Sequence, residues 1–343
     1  MCSERFGRDD TTTSQRIEMI KQALIGLTAA ALLAGCGGED KAQAPAAKAA
    51  DGTKTVGLVQ LVEHPALDAA SRGIQDAVKA RGLKVTFDVQ NAQADQSNLA
   101  NIAQRFVSQE YPLIFAVATP AAQTMANAAK NVATAVTDYE AAKLVINKDK
   151  PGTNVTGSSD LNPIGAQLDL IMQFVPNAKT IGTIYNSSEI NSQFQVEILK
   201  KELARYNVTL VEGTVSSVND VQQVAQGLIG KIDALYVPTD NIIASAMPVL
   251  TKITTPAKVP VITGEEGPLH GGGLATVGVD YYELGKIAGN MGADILEGKS
   301  KPADMPIQYQ KEFKVKVNEP VLKTLGLQLP EALKGKAELG DFH

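Results

Sequence analysis

The amino-acid sequence predicts an α/β protein of two open lobes, each built on a parallel sheet, with a hinge of several strands between them. Three observations lead there. From residue 54 onward short apolar runs alternate with stretches of helical periodicity, a spacing that implies parallel strands with right-handed crossovers. The alternation restarts after 154–157, and Leu113-Ile114-Phe115-Ala116-Val117-Ala118-Thr119-Pro120 lines up with Ile232-Asp233-Ala234-Leu235-Tyr236-Val237-Pro238-Thr239-Asp240. In both, an apolar strand enters a polar turn and then an Ala-rich helix. A further strand–helix pair follows the two halves, which returns the chain to the first lobe.

In the first half, 55–62 is a Val- and Leu-rich run bounded by polar residues, the pattern of a buried strand. Pro65 opens a helix whose Leu67, Ala70, Ile74 and Val78 keep helical spacing, ending near Gly82. A strand over 83–89 leads to a helix whose stripe is Leu99, Ile102, Ala103, Phe106 and Val107. A third strand, 113–118, is followed by a helix to about Lys130. In the second half come a helix over 164–174, a strand over 180–185, a helix over about 192–206 and a strand over 209–213. Val221, Val224, Ala225, Leu228 and Ile229 mark another amphipathic helix, before strands at 234–237 and 259–263. The late segments are a strand over 274–278, a helix reaching Glu297, a strand over 312–317 and a short helix at about 320–325.

The 343 residues are roughly twice a typical domain, and 44% hydrophobic with 20% charged residues is ordinary globular composition. Thirty-two Lys and Arg against 37 Asp and Glu give a net charge of -5 with no long basic run, which argues against binding nucleic acid by phosphate neutralisation. There is no Trp, and Cys2, Cys36, His64, His270 and His343 are too scattered for a zinc framework, so neither metal nor cofactor is expected.

The N-terminal segment carries an address. Met19-Ile20-Lys21, an apolar stretch over 23–34 and Gly35-Cys36 form a leader too short to cross a bilayer as a stable helix. Leu33-Ala34-Gly35-Cys36 resembles the lipobox of bacterial lipoproteins, which implies cleavage before Cys36 and a lipid anchor on its thiol. Residues 1–18 have no pattern, which places the start at Met19. Residues 37–53 lack large apolar side chains and read as a flexible stalk.

No catalytic signature holds. The chain lacks a Gly-x-Ser-x-Gly elbow, a phosphate-binding Gly-x-x-x-x-Gly-Lys loop and a Gly-x-Gly-x-x-Gly after a strand. Glu265-Glu266 are adjacent acids, but neighbours on a turn point different ways, so paired acid/base work is not expected. In open α/β sheets ligands sit at the carboxyl ends of the strands. There, Thr119 at a helix start offers a hydroxyl and backbone N–H groups suited to a carboxylate. Asp240 with Asn241, Asp160, Glu265 and Asp280 occupy the other turns. Acids facing a carboxylate-binding turn suit a zwitterion such as an α-amino acid. Loss of Asp240 is then expected to abolish binding without changing the melting temperature of the empty protein.

Seven motifs occur in order: Glu63-His64-Pro65-Ala66-Leu67-Asp68, Ala118-Thr119-Pro120-Ala121-Ala122-Gln123, Ala135-Val136-Thr137-Asp138, Asn154-Val155-Thr156-Gly157, Ile184-Tyr185-Asn186-Ser187-Ser188-Glu189, Val237-Pro238-Thr239-Asp240-Asn241 and Gly264-Glu265-Glu266-Gly267. Together they closely resemble the substrate-binding proteins of ABC importers, in the group that includes aromatic amino-acid (tryptophan-type) binders, over nearly all of 54–328. The resemblance implies two Rossmann-like lobes with the type I periplasmic-binding fold, acting as a monomer outside the cytoplasm without enzymatic activity. It also implies hinge closure over the ligand and delivery to a membrane permease with an ATPase partner.

Family ligand contacts map onto Glu63, His64 and Ala66, onto Thr119 and Ala121, and onto Thr137 and Asp138. In the second half they map onto Asp160, Asn186, Ser187, Asn191, Asp240, Glu265 and Asp280. Apolar lining is expected from Ala66, Ala121, Tyr185 and Tyr281. The implied organisation is 1–36 leader, 37–53 stalk, 54–157 plus about 280–303 for the first lobe, and 158–279 plus about 304–343 for the second. One departure is that only Asn131 to Thr134 separate Lys130 from Ala135, which shortens the strand to about 132–136 and bears on where Thr137 and Asp138 sit. A different class with the same cleft is a receptor feeding a sensor kinase.

Overall fold

The computed structural model describes residues 52–342. The leader, Cys36 and all of the stalk but its last two residues lie outside them. The first sheet starts with β1 (Lys54–Gln60), α1 (Pro65–Ala80), β2 (Val85–Asn91), α2 (Gln96–Ser108), β3 (Ile114–Val117), α3 (Thr119–Ala128), β4 (Val132–Val136) and β5 (Val155–Ser159). Local chemistry explains the boundaries. Pro65 opens α1 where no N–H is needed, Asp68 and Lys79 complement its dipole, and the Asp95 carboxylate caps α2 through the Asn98 N–H at 2.8 Å. β3, β4 and β5 are buried throughout, as strands covered by helices on both faces must be. The shortened β4 keeps a complete register, pairing Ile114 to Val117 on one side and Val155 to Ser159 on the other.

The second sheet is entered through α4 (Ile164–Phe174), β6 (Thr180–Asn186), α5 (Ile190–Leu203), β7 (Thr209–Val215), α6 (Val221–Leu228), β8 (Ala234–Val237), α7 (Asn241–Ser245), α8 (Met247–Thr254), β9 (Val261–Thr263) and β10 (Ala275–Gly278). The chain then runs through α9 (Tyr281–Leu296), β11 (Gln308–Tyr309), β12 (Lys314–Asn318), α10 (Glu319–Leu325) and β13 (Glu338–Gly340). Strand orders are β11-β5-β4-β3-β1-β2 and β13-β12-β10-β9-β8-β6-β7.

The crossings differ in detail from the expected boundaries. Ser158 and Ser159 still belong to β5, and Gln308 and Tyr309 pair with them as β11, so the last return to the second lobe falls after Tyr309 and not near 304. β12 then enters the second sheet antiparallel to β10, a departure from wholly parallel sheets that follows from its arrival out of the hinge rather than out of a helical crossover. Asn162, just past β5, ties two crossings together by accepting from the Val279 N–H at 2.9 Å.

α9 belongs with the first lobe because glycine permits it to lie directly on α1. A Cβ on Gly285 would stand 2.1 Å from the Ala70 carbonyl oxygen, and one on Gly73 2.1 Å from that of Tyr282. Backbones in such close contact admit no side chain between them. This packing sets the first residue of α9, Tyr281, at the hinge. Each lobe keeps its own apolar core, the first around Leu58, Ile74 and Phe115 and the second around Leu168, Ile171 and Tyr236. Burial of one such side chain contributes about 1.5–3 kcal/mol, so each lobe is stabilised by a core of its own on either side of the crossings.

Candidate functional site

Where the carboxyl ends of the two sheets meet, the chain encloses a narrow, nearly filled cavity, with room for about one water, that a ligand would have to part. The loop after β1 brings His64 to it and the first turn of α1 brings Leu67, while Ala118 and Thr119 come from the turn between β3 and α3. Thr137 follows β4, Asp160 follows β5, Thr239 to Asn241 follow β8 and Glu265 follows β9, while Asn191 and Tyr281 reach it from the starts of α5 and α9. The lobes touch across it: His64 Nε2 lies 3.4 Å from Asn241 Oδ1. Glu265 and Tyr281 also line an adjoining open groove with Asp68, Arg72 and Gly267.

Ala118 is held at φ 84°, ψ 150°, a region that side chains rarely occupy and that costs about 1–3 kcal/mol. The strain turns the chain sharply into α3, whose first turn has no side-chain cap. Pro120 has no N–H, so the uncapped donors of this turn are those of Thr119 and Ala121 beside the buried Thr119 hydroxyl. An anion is favoured there by the helix dipole.

The rest of the site is acidic. Asp160, Glu189, Asp240 and Glu265 are all buried, and the only imidazole at the cavity, His64, is kept neutral. Desolvation lowers His64 to about 4 despite its bond to Asn241. Burial pushes Glu265 up to about 8, with the Asp160 charge adding to the effect and the Gly267 N–H offsetting part of it. Burial also raises Asp160, against the stabilising hydroxyl of Tyr281, which donates to its Oδ2 at 2.6 Å. Asp240 is raised by burial and by the neighbouring Glu189.

Among the described residues five buried side-chain atoms have no hydrogen-bond partner, and three of them, His64 Nδ1, Asp160 Oδ1 and Asn191 Oδ1, belong to residues lining this cavity. A buried polar atom left unpaired costs about 1–3 kcal/mol, so these atoms are arranged for something that enters. Asn191 Nδ2 donates to Glu189 Oε2 and to the Thr239 carbonyl, both at 3.0 Å, which leaves its amide oxygen facing in as an acceptor.

The other sequence-derived candidates divide. His64, Thr119, Thr137, Asp160, Asn191, Asp240 and Glu265 come together at the cavity. Glu63 and Ser187 are exposed and do not line it. Asp138 accepts from the Ala141 N–H at 2.7 Å and holds its own turn, so of the pair after the shortened β4 only Thr137 faces in. Asp280 caps α9 through the N–H groups of Tyr282 and Glu283. Ala121 is buried and does not line the cavity, Ala66 lines the adjoining groove instead, and Asn186 supports the site by donating its N–H to Asp240 at 2.6 Å. The Tyr185 hydroxyl turns away to Glu212, so it supplies no apolar wall.

Asp240 is more committed than its place on a turn implied. Its carboxylate accepts from Asn186 N–H, from Ser192 Oγ at 2.6 Å and from Ile243 N–H at 2.8 Å. Sequence reasoning missed Leu67, Val136 and Thr239 as lining, and missed Glu189 as the anchor of Asn191 and Asn241. All four sat inside the motifs already singled out, and their side-chain directions were the part that spacing did not carry.

Two α/β lobes that meet over a cavity with unpaired acceptors and a strained helix start define a protein that encloses a small polar solute. Residues 55–339 match the family described as ABC transporter substrate binding protein, and the chain belongs to that family. Its members bind solutes outside the cytoplasm and are not enzymes. A tyrosine-binding protein of Clostridioides difficile (strain R20291) is 41% identical over 321 residues, 91% of this chain and 93% of that one. The structure of an ABC domain in complex with L-Trp from Streptococcus pneumonia is 38% identical with a TM-score of 0.80, covering 83% of this chain and 99% of the other.

A ligand-free, open structure of a substrate binding protein with adhesive properties from Clostridium difficile is 42% identical, covers 84% of this chain and 99% of the other, and has a TM-score of 0.65. Likeness thus falls although identity rises. More distant solute-binding neighbours share the type I periplasmic-binding fold. No helix among the described residues is long and apolar enough to cross a membrane.

Proposed function

We propose that this chain captures a free amino acid with an aromatic side chain in the cavity between its lobes. It then delivers the ligand, as a monomer, to an ABC permease and its ATPase. The observation that carries the reading is the set of unpaired acceptors beside buried carboxyl groups, in a lining with no Lys or Arg. Asp160 Oδ1 and Asn191 Oδ1 have no partner and burial favours the protonated form of Glu265, and an α-ammonium brings three N–H donors and the one charge that lets Glu265 ionise. Thr119 and the uncapped start of α3 take the α-carboxylate. Leu67, Val136 and Tyr281 offer the flat apolar surface on which a ring packs. The names of the relatives, one a tyrosine binder and one bound to L-Trp, agree with this. They lend no support to a receptor that feeds a sensor kinase.

Titration calorimetry with the twenty amino acids tests it. Tyrosine or tryptophan is expected to bind at micromolar Kd or tighter, about -8 kcal/mol. If no amino acid binds more tightly than about 1 mM, where the free energy is only about -4 kcal/mol, the reading fails.

The same proposal includes a lipid anchor on Cys36, resting on the lipobox resemblance. Cells fed a labelled fatty acid should label the wild-type protein and not Cys36→Ala. Equal labelling of both would remove the anchor.

A further inference from the structure

Within the cavity one atom stands apart from the acidic wall. His64 is 7% exposed, and its ring is fixed by a relay of buried groups. Glu189 accepts from Asn241 Nδ2 at 2.5 Å and from the N–H groups of Asn241 and Ile242, both at 3.3 Å. With its amide nitrogen spent on that carboxylate, Asn241 turns its oxygen toward His64 Nε2. An amide oxygen can only accept, so Nε2 carries the proton and Nδ1 is a bare acceptor. Nδ1 is buried and has no partner. Burial disfavours the imidazolium strongly, so the ring does not fill this need by taking a second proton near neutral pH.

We propose that His64 Nδ1 is the acceptor for an N–H or O–H on the ligand's side chain, which makes the site selective for hydroxylated or indolic rings over the bare ring of phenylalanine. The inference rests on the amino-acid reading above and deepens it. The ammonium is better served elsewhere, since two carboxylates and the Asn191 oxygen outcompete a neutral imidazole for a cation. His64 also comes from the first lobe together with Leu67, one helical turn further on and part of the apolar lining. A donor there has one strong choice. A ligand without one leaves Nδ1 buried and unpaired, which is the condition under which sites reject close analogues.

The experiment compares Kd for L-tyrosine, L-tryptophan and L-phenylalanine in the wild-type protein and in His64→Leu. The wild-type protein is expected to favour tyrosine or tryptophan over phenylalanine by about 10- to 100-fold, the loss that one unmade buried hydrogen bond produces. In His64→Leu that ratio should shrink to within about 3-fold, chiefly through loss of the two donors' affinity. Equal loss for all three would mean that His64 holds the ammonium, and an unchanged ratio would mean that it reads nothing; either overturns the proposal.

If His64→Leu does not fold, ¹⁵N NMR of the wild-type ring decides. Nδ1 should shift on adding tyrosine or tryptophan and stay in place with phenylalanine, and a shift common to all three overturns the idea. Amino acids that bind without this selectivity sink only the His64 proposal. Absence of any amino-acid binding sinks the functional reading and this inference with it.

Discussion

Glu265→Gln is expected to weaken amino-acid binding by at least about 100-fold while leaving the melting temperature of the empty protein unchanged or higher. The loss corresponds to about 3 kcal/mol, within the range measured when one partner of a buried charged hydrogen bond is removed. The direction of the stability change follows from the sign of the shift. Burial in the enclosed site holds Glu265 at about 8, against 4.5 for a solvated carboxyl, so the closed empty form prefers it protonated. That form is therefore fully available below about pH 4.5 and becomes costlier as pH rises toward 8, where ionised Glu265 and Asp160 repel across the hinge.

Small-angle scattering of the ligand-free protein should show a larger closed fraction at pH 5.5 than at pH 8.5, and Glu265→Gln should close readily at both. An ammonium ligand removes the pH preference by supplying the missing charge. A fall in the melting temperature of Glu265→Gln, or closure of the empty wild-type protein that does not vary with pH, would show Glu265 to be structural.

Asp240→Ala should destabilise the protein by about 2–4 kcal/mol, contrary to what its position on a strand-end turn implies. Its three donors, Asn186 N–H, Ser192 Oγ and Ile243 N–H, would all be left in a dry site. One unpaired buried group costs about 1–3 kcal/mol and a lost N-cap about 1 kcal/mol. Relief of the Glu189 repulsion returns part of this, which keeps the total below the simple sum. Urea denaturation measures the change. An unaltered midpoint with loss of binding would return Asp240 to the ligand's first contacts, and an altered midpoint with affinity retained would confine it to the scaffold.

Much of the architecture was legible because it is written in periods. The stripe of α1 and the continuous apolar runs of β3, β8 and β9 announce themselves, and two halves of like pattern imply two sheets and a cleft. β11 and β13 were not legible, since segments of two and three residues have no period to read and exist only through pairing with β5 and β12. The antiparallel entry of β12 was hidden for a related reason: direction in a sheet depends on where the preceding crossing ends.

At the site, residue type and strand-end position located the acids but could not rank them. Asp160, Asp240 and Asp280 have the same chemistry and similar surroundings in the linear chain. Their duties separate only when distant partners arrive. Tyr281, 121 positions away, leaves Asp160 one oxygen without a partner. Asn186, 54 positions away, helps to occupy both oxygens of Asp240, and the first turn of α9 takes up Asp280. By itself the sequence determined two α/β lobes, the turns that meet between them and the zwitterionic character of what they suit. The tertiary structure alone decided which atoms stay unpaired in the cavity, because a hydrogen-bond vacancy is a property of packing and not of any residue.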